Sequence, residues 1–236
     1  MELGARPERR RKEAPMSEGE ALTIDVVSDV VCPWCYLGKR RLTQALQEAE
    51  SGPIAVRWRP YQLDPNIPAE GLDRRAYMKA KFGDESRLAA AHDRLNALGA
   101  EVGIAYNFAA ISRAPNTLDA HRLIRWAATP DLQDAVVERL FHLYFEEGRD
   151  IGDRALLVEV AGETGMDGDI VAKLLADGHD IEAVRGDIAQ AQSVGVTGVP
   201  FFIFASRFGV SGAQDAAVLV KAIAQARANV SGVDAA

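Results

Sequence analysis

The only two cysteines of this 236-residue chain lie three positions apart, in Cys32-Pro33-Trp34-Cys35. They directly follow a strand-like run, Leu22 to Ser28, and they open a helical pattern. Two thiols at that spacing on the first turn of a helix can close on each other. The helix dipole and the unpaired backbone N–H groups there favour thiolate over thiol. Pro33 suits the turn, because an N–H at that position has no helical partner to lose. The asymmetry assigns roles: Cys32 is expected to be the exposed nucleophile, and Cys35, drawn inward, resolves the mixed disulfide that Cys32 forms. No His or Lys stands between the two sulfurs, so the helix terminus supplies most of the activation and a mild oxidant is expected. A zinc site needs four ligands, and no second cysteine pair or near Cys/His pair occurs, so no metal is expected. An inert pair of buried thiols is the bland alternative, and a strand–helix junction is an odd place for one.

The elements that must hold this dithiol follow from periodicity. A strand over 22–28 leads to a helix over 34–50 and a second strand over 54–61, in which apolar and charged residues alternate through Trp58. The long helical connection suits a parallel pair. After Pro60, Pro65 and Pro68 the pattern is helical over 73–81, 84–98, 116–128, 131–147, 153–164 and 167–177. Asn116, Asp131, Asp153 and either Asp167 or Asp169 are credible N-cap or first-turn residues, and Gly148, Gly165 and Gly178 credible stops. A helix over 180–194 then reaches Gly195-Val-Thr-Gly-Val-Pro200, strands over 201–205 and 208–211, and a last helix over 215–229. The order implies a small sheet domain over 21–65 and 180–229, with an all-helical domain over 66–179 inserted in it and a tail over 1–20.

Val199-Pro200 stands immediately before an apolar strand, where a proline costs a ladder hydrogen bond. A trans proline ending a loop is the ordinary reading of that dipeptide. A cis bond is the other, and it would leave the backbone of Val199 free to pair with an extended substrate beside the sulfurs.

Taken together, Cys-Pro-Trp-Cys after a strand, the long helical insert and Gly-Val-Thr-Gly-Val-Pro-Phe-Phe resemble the DsbA-like thioredoxin superfamily over residues 21–228. The closer likeness is to its FrnE-like subgroup, related to 2-hydroxychromene-2-carboxylate isomerases and kappa-class glutathione transferases. The resemblance implies an α/β, thioredoxin-like fold with a large all-helical domain inserted between the halves of the sheet domain. It implies a protein-disulfide oxidoreductase in which Cys32 attacks, Cys35 resolves, and Val199 before a cis Pro200 binds substrate backbone. Trp34 and Asn116 join the implied substrate-binding set, the latter through an Asn116-Thr117 step, with His121 one turn on, that similar proteins share. The alternative is a glutathione-dependent isomerase or transferase of a small aromatic substrate. Those branches carry a serine where this chain has Cys32, which weakens that alternative. No cofactor is implied beyond glutathione as a co-substrate. The partners implied are protein or small-molecule thiols and disulfides, with a homodimer left open.

Composition fits this chemistry. The formal net charge of −7 argues against nucleic acid, whose phosphates require clustered Lys and Arg. The one basic run, Arg9 to Lys12, lies in a polar start segment that also carries Glu2, Glu8, Glu13, Glu18 and Glu20, and reads as a solvated tail. No apolar stretch reaches the length of a membrane span and no signal-peptide pattern opens the chain, so a cytoplasmic location is expected, where two cysteines are reactive more often than structural. Some residues stay undecided or are set aside. Trp34 is either a substrate contact or a cover for Cys35. Asp25 and Asp29 flank the first strand's end; Asp29 reads as a solvated loop carboxylate, the alternative implied by the resemblance being a buried acid that moves protons near the resolving cysteine. His121 lines the cleft or fills a helix face. His92, His142 and His179 read as ordinary helix residues, and Lys39, Arg40 and Arg41 as a solvated helix face, the alternative being that one of these cations stabilises the Cys32 thiolate. No Gly-rich phosphate loop occurs.

Overall fold

In the computed structural model residues 21–49, 52–127 and 129–231 are described, and the tail expected over 1–20 lies outside them. Strand β1 (Leu22–Ser28) is buried on both faces except for a half-buried Thr23, and runs into helix α1 (Pro33–Glu48) through a four-residue turn. Strand β2 (Ile54–Pro60) returns parallel to β1, with Leu22 beside Ile54 and Val26 beside Trp58. The later strands β5 (Phe201–Phe204) and β6 (Phe208–Ser211) complete a sheet of order β2-β1-β5-β6. There β5 is antiparallel to β1, with Val26 opposite Phe202, so β1 is central and both its faces need cover.

That requirement explains the alternation along the strands. Leu22, Ile24, Val26, Phe202 and Phe204 share one buried cluster with Leu42 and Ala45 of α1. Leu219, Ile223 and Ala226 of the last helix, α9 (Ala216–Ser231), belong to the same cluster. Val27, with Phe201 and Ile203 against it, faces the other way, toward Ala191 and Val196 at the end of α8 (Ile181–Ser193).

Between β2 and α8 the chain is helical: α2 (Arg74–Phe82), α3 (Glu85–Glu101), α4 (Leu118–Trp126), α5 (Pro130–Phe145), α6 (Arg154–Glu163) and α7 (Gly168–Ala176). Asp153 and Asp167 cap α6 and α7 by accepting from Ala155 and Ile170 N–H groups, as expected. Helix α5 is capped by Thr129, and Asp131 stands in its first turn. One expectation fails here, since the segment is not purely helical. Two-residue strands β3 (Leu72–Asp73) and β4 (Arg113–Ala114) pair antiparallel. Two residues carry no readable periodicity, and the pairing is set by the approach of distant chain segments.

Buried side chains join this layer to the sheet domain. Tyr36 of α1 stacks on Phe141 of α5 at 5.0 Å between ring centroids. Lys39 of α1 lies 2.9 Å from both Asp134 and Glu138 of α5. The expected solvated helix face is therefore corrected: Lys39 is only 4% exposed, because α5 packs along that side of α1 and supplies the acids that burial of a charge demands.

Candidate active site

Cys32 is the N-cap of α1, with Pro33 the first helical residue, and no side chain caps the helix start. The chain turns there because Asp29 C=O accepts from the Cys32 N–H at 3.0 Å and Cys32 C=O from the Cys35 N–H at 2.9 Å. Both cysteines are free thiols. The Cys32 thiol points at the carbonyl oxygen of Val199, 3.7 Å away and 167 residues along the chain. The Val199–Pro200 peptide is cis. Gly38, one turn beyond the dithiol, lets α1 come down on this bond, since a Cβ there would stand 2.9 Å from Pro200 Cγ.

The two sulfurs differ in surroundings. Cys35 is fully enclosed, and burial first, then its hydrogen bond with Cys32, pushes its thiol well above the ordinary range. The Ser28 hydroxyl and the Asp29 backbone oppose that shift in part. Cys32 is also only 4% exposed, which corrects the expectation of an open nucleophile. It is reached instead through the floor of a cavity of about 440 Å³, which Cys32, Pro33, Trp34, Gly198 and Val199 help to line and Cys35 does not. Helices α2 and α3 form the opposite wall with Tyr77, Met78, Leu88 and His92. Tyr106 ties this wall to the dithiol loop, donating from its hydroxyl to Pro33 C=O at 2.6 Å.

The structure brings Cys32, Cys35, Trp34, Val199 and Pro200 together. Trp34 is half-buried on the cavity wall, with the guanidinium of Arg94 5.5 Å from its ring centre. Asn116 is placed elsewhere, outside the cavity lining. Its amide donates to Ile67 C=O at 2.6 Å, and its Oδ1 accepts from Gln62 at 3.1 Å and from Leu118 N–H at 2.9 Å. Both side-chain polar atoms are engaged in joining the β2–β3 loop to the start of α4.

Two further readings change. Asp29 is not a solvated loop carboxylate. It is 1% exposed, accepts from Leu63 N–H at 2.8 Å, and lies 3.5 Å from His121 Nε2. His121 is buried with Nε2 2.9 Å from Tyr61 C=O, so it packs the helix face and does not line the cavity. His92, read as an ordinary helix residue, stacks on Phe108 at 4.0 Å and lines the cavity. Burial and then the nearby Arg74 lower its pKa. Sequence reasoning also passed over Arg74, Tyr77 and Lys81. The available signal was the composition of α2, in which Arg74, Arg75, Lys79 and Lys81 occur without one acid. Among the described residues no group of three His, Cys, Asp or Glu could hold a metal ion, and no helix is long and apolar enough to cross a membrane.

Comparison with known proteins agrees with this geometry. The model of the DSBA-like thioredoxin domain matches residues 23–224. The uncharacterized protein YwbO of Bacillus subtilis strain 168 is 28% identical over 201 residues, which is 85% of this chain and 94% of that protein. A probable DsbA oxidoreductase from Streptomyces coelicolor superposes with a TM-score of 0.79 at 34% identity, over 87% of this chain and 89% of that one. A 2-hydroxychromene-2-carboxylate isomerase shares the fold, with a TM-score of 0.68 at 17% identity over 89% of this chain and 98% of its own. With the dithiol at the start of α1 and a family match running from β1 into α9, the chain belongs to the DSBA-like thioredoxin domain family.

Proposed function

We propose that this protein is a thiol–disulfide oxidoreductase that works through a mixed disulfide on Cys32. One observation carries the reading: of the two sulfurs, the cavity reaches only Cys32, which lies at the N-terminal end of α1 and 3.7 Å from the Val199 carbonyl. The partial positive charge of the helix start is then applied to the sulfur that meets substrate. With a disulfide substrate, Cys32 as thiolate attacks one sulfur. The Cys32–S bond forms, the substrate S–S bond breaks, and one substrate half leaves as thiolate. Cys35 then attacks Cys32. The Cys32–Cys35 bond forms, the second half departs, and the proton of Cys35 leaves with it as a thiol. The protein dithiol loses two electrons and the substrate disulfide gains them. The reverse sequence oxidises a pair of substrate thiols.

The enclosure that raises the Cys35 thiol keeps it protonated at rest, so it does not compete for substrate. Trp34 and Val199 line the approach to Cys32 and are the substrate-contacting residues of this proposal. A cytoplasmic setting, with glutathione or another small thiol as co-substrate, belongs to the same proposal.

The test uses reduced full-length protein with a scrambled disulfide protein. Wild type is expected to exchange disulfides, Cys35→Ser to accumulate a mixed disulfide visible by intact mass, and Cys32→Ser to do neither. Equal activity of Cys32→Ser and wild type refutes the proposal. Glutathione binding that survives Cys35→Ser, without any disulfide exchange, points to the isomerase or transferase reading instead.

A further inference from the structure

The cavity above Cys32 is apolar through most of its wall, with Leu63, Ile67, Met78, Leu88, Phe108 and Val199 among its lining residues. Its volume of about 440 Å³ is in the range of small-molecule sites and too small for a folded partner. Arg74, Lys81 and Arg87 of α2 and α3 also line it.

Two of these cations have tyrosine partners but no ion pair, and each lies over the ring of the tyrosine it bonds, Arg74 5.9 Å from the Tyr144 centroid and Lys81 5.1 Å from that of Tyr77. Lys81 Nζ stands 2.7 Å from the Tyr77 hydroxyl, and Arg74 Nη1 stands 3.1 Å from the Tyr144 hydroxyl. Among the described residues neither has a carboxylate within 4 Å, whereas Arg87 lies 3.7 Å from the exposed Asp84. Arg74 also occupies the first turn of α2, the end at which the helix dipole disfavours a cation. The two acids that line the cavity are already used. Asp29 accepts from Leu63 N–H at the floor, and Asp64 accepts from the Tyr77 hydroxyl at 3.2 Å and from Asn66 N–H. In a chain of net charge −7, one apolar cavity leading to the thiol therefore has a wall with unneutralised positive charge.

We infer that the site selects small thiols and disulfides with an apolar, aromatic-sized body and a carboxylate at the far end. The carboxylate is received by Lys81 with Arg74 and Arg87, while the sulfur lies at Cys32. This inference rests on the thiol-exchange reading and gives it a substrate class. The reaction is that exchange: the diaryl disulfide is reduced to two aryl thiols and the Cys32–Cys35 dithiol is oxidised to its disulfide. Charge pairing at the cavity rim, strongest at low salt because these cations meet solvent, favours the anionic ligand over a neutral one of the same shape.

The probes are dithiodibenzoate, its bis-carboxamide and oxidised glutathione. Each is mixed with reduced full-length protein under single-turnover conditions, and each rate constant is divided by that for mercaptoethanol to remove leaving-group differences. The normalised rate for dithiodibenzoate is expected to exceed that for the carboxamide by about tenfold at low salt. It is also expected to exceed that for oxidised glutathione, which carries carboxylates but no apolar body. The carboxylate-to-carboxamide ratio falls toward one in Lys81→Gln/Arg87→Gln and at high salt, and is kept in Lys81→Arg. Both side chains are exposed, so the double variant is expected to fold as wild type does. Equal normalised rates for the two aryl disulfides in wild type, or a ratio unmoved by the double variant, overturn the inference. If those rates still vanish in Cys32→Ser, the exchange reading survives its loss. If Cys32→Ser reacts as wild type does, both are refuted.

Discussion

Alanine normally stabilises a helix when it replaces glycine, by about 0.5–1 kcal/mol. At position 38 the opposite sign is expected. A Cβ built on Gly38 lies 2.9 Å from Pro200 Cγ and 3.3 Å from Phe202 Cζ, both closer than ordinary van der Waals contact. Neither neighbour is the loose end of a flexible side chain. Pro200 is a ring in the backbone, and Phe202 is fully buried in the sheet core. Overpacking of this kind costs about 1–3 kcal/mol. Set against the propensity gain, Gly38→Ala should lose about 0–2.5 kcal/mol. Gly186 in α8 is the control, since a Cβ there meets nothing within 4 Å and the gain is kept in full. The two variants should thus differ by about 1–3 kcal/mol. At about 2–4 °C per kcal/mol for a chain of this size, Gly186→Ala raises Tm by a few degrees and Gly38→Ala leaves it unchanged or lowers it. Thermal unfolding followed by circular dichroism, on reduced protein, measures both. If the two variants raise Tm alike, α1 does not press on Pro200 as described, and the placement of Cys32 beside Val199 loses its support.

Two other predictions test the surroundings of the site. The Cys35 thiol is raised in the folded protein relative to about 8.5 in the unfolded chain, so the protein holds that proton more tightly than the unfolded chain does. The stability this confers is complete below that pH and is lost as pH rises toward the folded value, at up to about 1.4 kcal/mol per pH unit. Urea unfolding of reduced wild type and Cys35→Ala at several pH values between 8 and 10.5 should show wild type losing stability faster above about pH 8.5. Parallel profiles would contradict it. Asn116→Ala, which strips partners from Ile67 C=O, Gln62 and the Leu118 N–H, should cost about 1–3 kcal/mol in urea unfolding, and a loss near zero would show those bonds to be replaceable by water.

Much of the architecture was legible because it is written in local patterns. The β1 run, the parallel β2, the helix starts at Asp153 and Asp167 and the positive-φ glycines at 148, 165 and 178 all follow from period, capping chemistry and glycine's conformational range. The two-residue ladder of β3 and β4 was not legible, since its partners are some forty residues apart and each is too short to show a period.

The site divides along the same line. The sequence by itself determined the dithiol and its polarity. Cys32 before Pro33 begins a helix and Cys35 lies one turn inside it, because the spacing and the missing proline N–H are local facts. Only the tertiary structure decided what those sulfurs meet. Helix α5 buries Lys39 among acids, α2 and α3 wall off Cys32 and turn cations toward it, and Asp29 and Asn116 are taken up in holding loops. Burial and charge pairing depend on elements far apart in the chain that come together only on folding, and no spacing rule carries that information.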